Sequence, residues 1–259
     1  DDYAITGYSI ASNVATVTTT PHTLVAGNKF TISGIIDDKV VTSRSALDGI
    51  ATLTVSGTHN VQVNDELVVT KVNEVGAVVS KEAVNGVGIL TLAQPHNFVE
   101  TMEITLAGIG APFDGDRSVL SVTDTRVFVE LDDENTNSAP ARAAGSIVSA
   151  DSVFNGSFIV SAVGPTISYY LSARDAPARS VSALASSWSV VNGVHTVSST
   201  VGVTGIVFPL VANNVASHSV TAPVDEEDVV PMVSAEGRHN GVRTLTSVTR
   251  DTITFAQSL

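Results

Sequence analysis

The sequence predicts an all-β protein, with small β-sandwich or barrel-like domains arranged in tandem and built from degenerate repeats. The apolar residues make up 43% of the chain and are mostly Val, Ala, Leu and Ile, interleaved with Thr and Ser. β-Branched side chains restrict χ1 and fit a pleated, half-buried surface. Apolar and polar residues alternate along most segments, which is the period of a strand with one buried face. Only 15% of the residues are charged, which is low for a surface rich in helices.

Three segments align without gaps, and each indicates a strand, a turn and a second strand. They are TTTPHTLVAGNKFTISGI (18–35), VSGTHNVQVNDELVVTKV (55–72) and LAQPHNFVETMEITLAGI (92–109). Their histidines, His22, His59 and His96, are spaced 37 residues apart. A constant interval of this kind indicates a structural repeat, and we name these segments the first halves.

A second type of segment also recurs, and we name its copies the second halves. They are PFDGDRSVLSVTDTRVFVEL (112–131), VFNGSFIVSAVGPTISYYL (153–171) and RHNGVRTLTSVTRDTITFA (238–256). Each contains Asp-Gly or Asn-Gly, at Asp114-Gly115, Asn155-Gly156 and Asn240-Gly241. Such dipeptides between alternating apolar residues predict type I′ hairpin turns, which need positive φ at two residues.

The repeats predict three β domains with boundaries near residues 84 and 178. The domains are an N-terminal one (1–84), a middle one (85–177) and a C-terminal one (178–259). Stretches rich in Asn, Ala and Pro, at 135–140 and 176–179, indicate loops or linkers.

Three stretches depart from a simple tandem order. The second half at 153–171 has no first half directly ahead of it, and one interpretation is that the copy at 85–135 is inserted within another domain. Residues 180–190 predict a short helix. The last segment, which ends in the Asn240-Gly241 unit, resembles a diverged copy of the complete repeat.

The order of these motifs resembles the small β-sandwich repeats of tailed-bacteriophage virion proteins, especially minor tail, tail-tip and fibre proteins. The residues that carry the resemblance are Pro21-His22 with Gly27 and Gly34, Pro95-His96 with Gly108, Phe113-Asp114-Gly115, Phe154-Asn155-Gly156 and His239-Asn240-Gly241. It covers most of the chain outside 178–217, although Thr58 stands where Pro is expected. The resemblance implies a structural protein of the virion. Its partners would be copies of itself, neighbouring virion proteins and a host-surface glycan or protein.

Charge and composition exclude several other partners. The formal net charge is −13 and the pI is near 4.6, so the surface repels phosphate backbones and anionic headgroups. We therefore expect no nucleic acid partner and no membrane insertion, and no apolar run reaches the length of a transmembrane helix. The chain has no cysteine, which excludes disulfides, thiolate metal sites and cysteine nucleophiles.

The three histidines suggest a metal site only if successive repeats bring them together. Ligands that recur once per repeat normally lie too far apart to coordinate one ion, and neither HxH nor HExxH is present. We expect His22, His59 and His96 to hydrogen-bond loop backbone groups instead. No metal-binding residue is predicted.

Acidic runs are the other candidate cation sites. They are Asp37-Asp38, Asp114-Gly115-Asp116, Asp132-Asp133-Glu134 and Asp225-Glu226-Glu227-Asp228. None has the spacing of a calcium-binding loop, so solvated turns are the expected interpretation.

No catalytic or cofactor-binding residue is predicted, and we expect no enzyme activity and no cofactor. The chain contains no G-x-S-x-G, no Walker loop and no dinucleotide-binding glycine motif. A glycosidase would need an aromatic-lined cleft, and the chain has one Trp, at position 188, and four Tyr. Phe113, Phe154, Phe128, Tyr169 and Phe255 recur at matching places and are expected in the core.

Three functions follow in order of preference. The first is a virion structural protein that acts through subunit packing. The second is a carbohydrate-binding or adhesin-like β-sandwich module, which requires exposed aromatic residues or a calcium loop. The third is a hydrolase on a β scaffold, since a fold does not fix a function.

Overall fold

The computed structural model describes residues 2–132, 136–219, 232–235, 245–248 and 253–255. In these ranges all regular structure is strand and no helix occurs, which confirms the all-β prediction. Nine strands precede the first of the second halves. They are β1 (Asp2–Ala11), β2 (Val14–Thr19), β3 (Lys29–Ser33), β4 (Ile36–Leu47), β5 (Ile50–Val55), β6 (Glu66–Thr70), β7 (Glu74–Val84), β8 (Val87–Leu92) and β9 (Glu103–Ala107).

Thirteen further strands follow within the described part of the chain. They are β10 (Gly115–Val122), β11 (Arg126–Glu130), β12 (Ser138–Ser149), β13 (Gly156–Val163), β14 (Thr166–Tyr170), β15 (Ala176–Trp188), β16 (Gly193–Thr196), β17 (Ser199–Val201), β18 (Gly205–Pro209), β19 (Val215–Ser219), β20 (Met232–Ala235), β21 (Leu245–Val248) and β22 (Ile253–Phe255).

The chain divides into two compact units, and the residue range of neither unit coincides with that of a predicted domain. Unit 1 contains residues 1–35 and 189–259, and unit 2 contains residues 36–188. The three consecutive domains predicted above differ from this division because strand pairing joins segments that are distant in sequence. β4 pairs with β15, and β7 pairs with β12.

Unit 2 consists of two closed six-stranded barrels. The inner barrel has the strand order β10-β11-β8-β7-β12-β9, and the outer barrel has the order β13-β14-β5-β4-β15-β6. The two orders are equivalent: β7, β8, β9, β10, β11 and β12 of the inner barrel occupy the places of β4, β5, β6, β13, β14 and β15 of the outer one. All strands of the inner barrel fall between β6 and β13 in the sequence, so the inner barrel is inserted between two strands of the outer one.

Each barrel of unit 2 has its own apolar core. Burial alternates along strands such as β8 and β11, so that Leu90, Val127 and Val129 are fully buried in the inner barrel. Leu53 and Ile167 are fully buried in the outer barrel. Burying an aliphatic side chain of this size stabilises a fold by about 1.5–3 kcal/mol.

Unit 1 repeats the same neighbour order with two interruptions. Its sheet runs β16-β3-β20-β1-β2-β18-β17, and β19 also pairs with β1. β16 and β17 take the place of β13 in the outer barrel. β19 and β20 together take the place of the long strand β15. The core contains Phe30 and Phe208, whose ring centroids lie 5.3 Å apart in an edge-to-face contact.

In the structure each first half also includes the strand before it, β1, β4 or β7, and a tight turn joins this strand to the next one. The turn residues all have positive φ: Ser12 and Asn13 (51° and 62°), Asp48 and Gly49 (50° and 75°), and Asn85 and Gly86 (49° and 78°). Two successive residues with positive φ match the right-handed twist of the strands that they connect.

Three sequence predictions beyond residue 134 are wrong. Residues 138–140 and 176–179 were expected in loops or linkers, but they begin strands β12 and β15. Residues 180–190 lie mostly in strand β15 rather than in a helix, because β15 pairs with both β4 and β6. The last segment is not a separate complete repeat, because β19 and β20 pair with β1 and β3 of unit 1. β21 and β22 form a hairpin.

Candidate functional site

Each repeat histidine bonds the backbone of the second half of its own barrel. Nε2 lies 3.3 Å from Gly205 O for His22, 3.0 Å from Gly164 O for His59 and 3.3 Å from Arg126 O for His96. These contacts confirm that the histidines bond loop and strand-end backbone. They span 183, 105 and 30 residues of sequence, so one contact type closes loops of very different length.

The opposite ring nitrogen fixes the tautomer of two of these histidines. Nδ1 of His22 accepts from Leu24 N at 3.2 Å, and Nδ1 of His96 accepts from Phe98 N at 3.1 Å. Nε2 therefore carries the proton and donates to the carbonyl oxygen. With both nitrogens engaged in this way, neither ring offers a lone pair to a metal ion.

An Asn or Asp at the start of a second half bonds the residue two positions after the third strand of the first half, β3, β6 or β9. Asn155 Oδ1 accepts from Val72 N at 2.9 Å, and Asn192 Oδ1 accepts from Ile35 N at 3.1 Å. Asp114 Oδ1 accepts from Ile109 N at 2.8 Å. Ile35, Val72 and Ile109 are spaced 37 residues apart, like the histidines.

The sequence analysis missed Asn192-Gly193 as the second half that belongs to unit 1. Its signal was present, because Asn192 follows Asn155 by 37 residues and precedes a glycine. The turn type assigned to these dipeptides was also wrong. Only the glycines have positive φ, 114° at Gly115 and 141° at Gly156, and each begins a strand. Asn240-Gly241 lies outside the described residues.

A buried ion pair joins the two barrels of unit 2. Arg44 of β4 donates through Nη2 to Glu74 Oε2 at the start of β7, and the two side chains are 1% and 0% exposed. The Arg44 guanidinium lies 4.5 Å from the centroid of the Phe154 ring. Glu74 Oε1 accepts from Asn97 N at 3.2 Å. Burial lowers the pKa of Arg44, and the adjacent Glu74 carboxylate opposes that shift.

This junction contains polar atoms without a protein partner. In the described ranges, Nε and Nη1 of Arg44 and both amide atoms of Asn97 are buried and make no hydrogen bond. Leaving such groups unsatisfied costs about 1–3 kcal/mol each. The ion pair therefore connects the two barrels, but the unbonded polar atoms around it lower the stability of the junction.

A cleft of about 360 Å³ lies beside the junction and is bounded by both barrels. Its lining includes Phe98 and Val122 from the inner barrel and Val153 and Arg174 from the outer one. Arg174 donates to Val122 O at 3.2 Å, and Arg179 donates to Val75 O and, at 2.9 Å, to Pro95 O. These arginine contacts bridge the barrels, so the cleft is a seam between two packed domains.

Three of the acidic candidates bond a side chain of a neighbouring strand. Asp38 accepts from Ser186 at 2.5 Å, Asp116 accepts from Thr105 at 2.7 Å, and Asp132 pairs with Arg117 at 3.2 Å. No group of three or more His, Asp or Glu side chains arranged for a metal ion occurs in the part of the chain that the structure describes. Residues 225–228 and 133–134 lie outside that part.

The predicted core aromatic residues are confirmed in three of five cases. Phe113, Phe154 and Tyr169 are buried, and burial raises the pKa of Tyr169. Phe128 is half-buried, because Val127 and Val129 occupy the inward positions of β11. Phe255 lies in β22, where only the backbone is described.

A cluster of exposed apolar side chains lies at one end of the strands of the outer barrel. It consists of Leu47, Ile50 and Tyr170, which are 63%, 40% and 76% exposed, and we name it the end patch. Leu47 and Tyr170 are both directly opposite Ile50 in the strand register. Residues that lie opposite each other in antiparallel strands share a face, so the three side chains form one outward surface.

The comparisons with known proteins identify no relative: no family model, no curated protein and no solved structure matches the chain. Among the described residues, no helix has the length and apolar character needed to cross a bilayer.

Proposed function

We propose that the protein is a non-catalytic structural component of a bacteriophage virion, located in the tail or tail tip. It acts by packing its barrels against copies of itself and against neighbouring virion proteins. The observation that carries the proposal is the end patch, three large apolar side chains presented together on a rigid barrel. Apolar and aromatic side chains of this kind form the centres of protein interfaces.

The contrast between repeated and variable positions supports this role. The repeated His and Asn or Asp side chains all bond backbone within their own barrel. The outward positions differ between barrels: Tyr170 lies opposite Ile50 in the outer barrel, whereas Glu130 lies opposite Val87 in the inner barrel. The repeat therefore supplies a scaffold, and its outer surface supplies the specificity.

The location is tested by mass spectrometry of purified virions of the phage that encodes the chain, together with immunogold electron microscopy. We expect the chain in intact particles, with label at the tail. Its absence from particles would contradict the proposal.

The packing role is tested by sedimentation of the isolated protein and of Tyr170→Glu, which installs the residue of the inner barrel. We expect the wild type to self-associate and the variant to associate at least about tenfold more weakly, as loss of an interface aromatic does. Val163→Glu adds the same charge at an exposed valine at the other end of the β13–β14 hairpin and is the control. Equal association of all three proteins would exclude the end patch as an interface.

A carbohydrate-binding or adhesin-like function is the second candidate, and exposed aromatic side chains favour it. Tyr170 is 76% exposed and Trp188 is 53% exposed, both in unit 2. Aromatic faces combine an apolar surface with a polar edge and suit sugar rings. A glycan panel would distinguish this function, because Tyr170→Ala or Trp188→Ala would then abolish binding to a defined glycan without changing sedimentation.

A further inference from the structure

The C-terminal hairpin has the backbone register of a second half. In β21–β22, Leu245, Ser247 and Val248 lie opposite Phe255, Thr254 and Ile253, with an irregularity after the first pair. In β10–β11 of the inner barrel, Val119, Ser121 and Val122 lie opposite Val129, Phe128 and Val127, with the same irregularity. The first paired residue follows the glycine of the Asp-Gly or Asn-Gly dipeptide by four positions in both segments.

The other three second halves each pair with a first half. β10 pairs with β9, β13 pairs with β6, and β16 pairs with β3. In the part of the chain that the structure describes, β21 and β22 pair only with each other. The hairpin thus has the form of a second half, and no first half pairs with it among the described residues.

β20 is the strand before this hairpin, and its register with β3 assigns it to unit 1. Met232 of β20 lies opposite Ser33, Leu184 of β15 lies opposite Thr70, and Ser146 of β12 lies opposite Ala107. Ser33, Thr70 and Ala107 are spaced 37 residues apart. β20 therefore completes unit 1 as β15 and β12 complete the two barrels of unit 2.

The second halves follow their first halves in reverse order. The one that begins at Gly115 pairs with the third first half, the one at Gly156 with the second, and the one at Gly193 with the first. Each step moves the partner 37 residues towards the N-terminus. The next second half in the sequence is the β21–β22 hairpin.

We propose that β21–β22 is the second half of a fourth barrel, whose first half is a repeat segment encoded immediately upstream of Asp1 in the same polypeptide. That segment carries an alternating hairpin, a Pro-His or Thr-His turn and an apolar third strand. If the 37-residue interval continues, its histidine stands 16 residues before Asp1. The third strand and the hairpin bond β21 and β22 by strand addition, as β9 and β8 bond β10 and β11.

The backbone edges of the β21–β22 hairpin, unpaired within the described residues, are the reason to expect a further first half. A two-stranded hairpin is marginal in water by itself and exposes unpaired N–H and C=O groups on both edges. A first half satisfies both edges at once, which is how the two barrels of unit 2 are closed.

The first test reads the residues upstream of Asp1 by mass-spectrometric peptide sequencing of the polypeptide isolated from its source. The proposal requires the His turn at the stated interval, preceded by an alternating strand pair. An upstream sequence without this motif would overturn it.

The second test is amide hydrogen exchange on β21 and β22, in the chain that begins at Asp1 and in the chain that keeps its upstream segment. We expect exchange to slow by at least about tenfold in the longer chain alone. An equally long Gly/Ser segment in place of the upstream residues should leave exchange fast. Equal protection in both natural chains would overturn the proposal, as would protection that rises with protein concentration, because the first half would then come from a second copy.

Discussion

The side chain of Asn155 bonds the backbone of Val72 through both of its polar atoms. Oδ1 accepts from Val72 N at 2.9 Å, and Nδ2 donates to Val72 O at 3.0 Å. Asn192 makes the same pair of bonds with Ile35 at 3.1 and 2.7 Å. The carboxamide has a donor and an acceptor side by side, so it imitates one rung of a β ladder between the two halves of a barrel.

Replacing Asn155 by Asp should destabilise unit 2 by about 1–3 kcal/mol, because a carboxylate has no donor for the Val72 carbonyl. Urea denaturation measures the loss as a lower midpoint with an unchanged slope. Asn137→Asp is the control, since Asn137 Oδ1 only accepts, from Asn85 N. Equal losses in the two variants would show that added charge, not the missing donor, is responsible.

Replacing Gly145 by Ala should destabilise the inner barrel by about 1–3 kcal/mol, because an added methyl group meets rigid neighbours. A Cβ there would lie 2.5 Å from Ile109 Cγ1 and 2.7 Å from Ala107 O. Gly164→Ala is the control, as a Cβ at Gly164 meets nothing within 4 Å. Thermal unfolding of both variants checks this, and a Gly145→Ala protein as stable as the control would contradict the packing described.

Replacing Glu74 by Gln should destabilise unit 2 by about 3–5 kcal/mol, because it leaves the Arg44 charge buried without its partner. The double variant Arg44→Met/Glu74→Leu should recover much of this loss, since it removes both charges from the interior. Asp132→Asn breaks the pair between Arg117 and Asp132, whose carboxylate is 86% exposed, and should cost less than about 1 kcal/mol. If Glu74→Gln were no more costly than Asp132→Asn, the buried pair would not hold the barrels together.

Local sequence patterns were enough to find most of the strands, the three histidines and two of the three Asn or Asp residues that bond backbone, Asp114 and Asn155. They did not give the pairing order, because alternation in a second half does not specify which first half it meets. The contact between Asn192 and Ile35 spans 157 residues, and no local signal encodes it. β15 was mistaken in part for a helix because its Ala- and Ser-rich sequence has few β-branched residues to mark it as a strand.

The Arg44–Glu74 pair was also missed, although a signal for Arg44 existed. Arg44 alternates with Ala46 on the inward side of β4 and so occupies a core position. Charged residues in strands are usually exposed, and the sequence does not show that a second barrel covers this one. Glu74 can be identified as the partner of Arg44 only when the position of the inner barrel against the outer one is known.

The last prediction concerns His96 and acid. Burial lowers the pKa of His96 from its usual 6.5 to about 4, and the bond to Arg126 O partly opposes the shift. Between these two pH values the unfolded chain binds a proton that the folded chain excludes. The free energy of unfolding therefore falls as pH decreases from 6.5 to about 4, by at most about 1.4 kcal/mol per pH unit from this group. Above pH 6.5 the histidine contributes no pH dependence.

Burial also lowers the pKa of His195, which packs against Phe208 in unit 1 and acts in the same direction. The difference between wild type and His96→Asn isolates His96, because Asn does not titrate in this range. We expect the two urea midpoints to converge as pH is lowered from 7 to 4.5, even if the variant is less stable throughout. A difference that stays constant with pH would mean that His96 takes up a proton in the folded barrel. Its Nδ1 could then not accept from Phe98 N, and the contact that closes the inner barrel would differ from the one described.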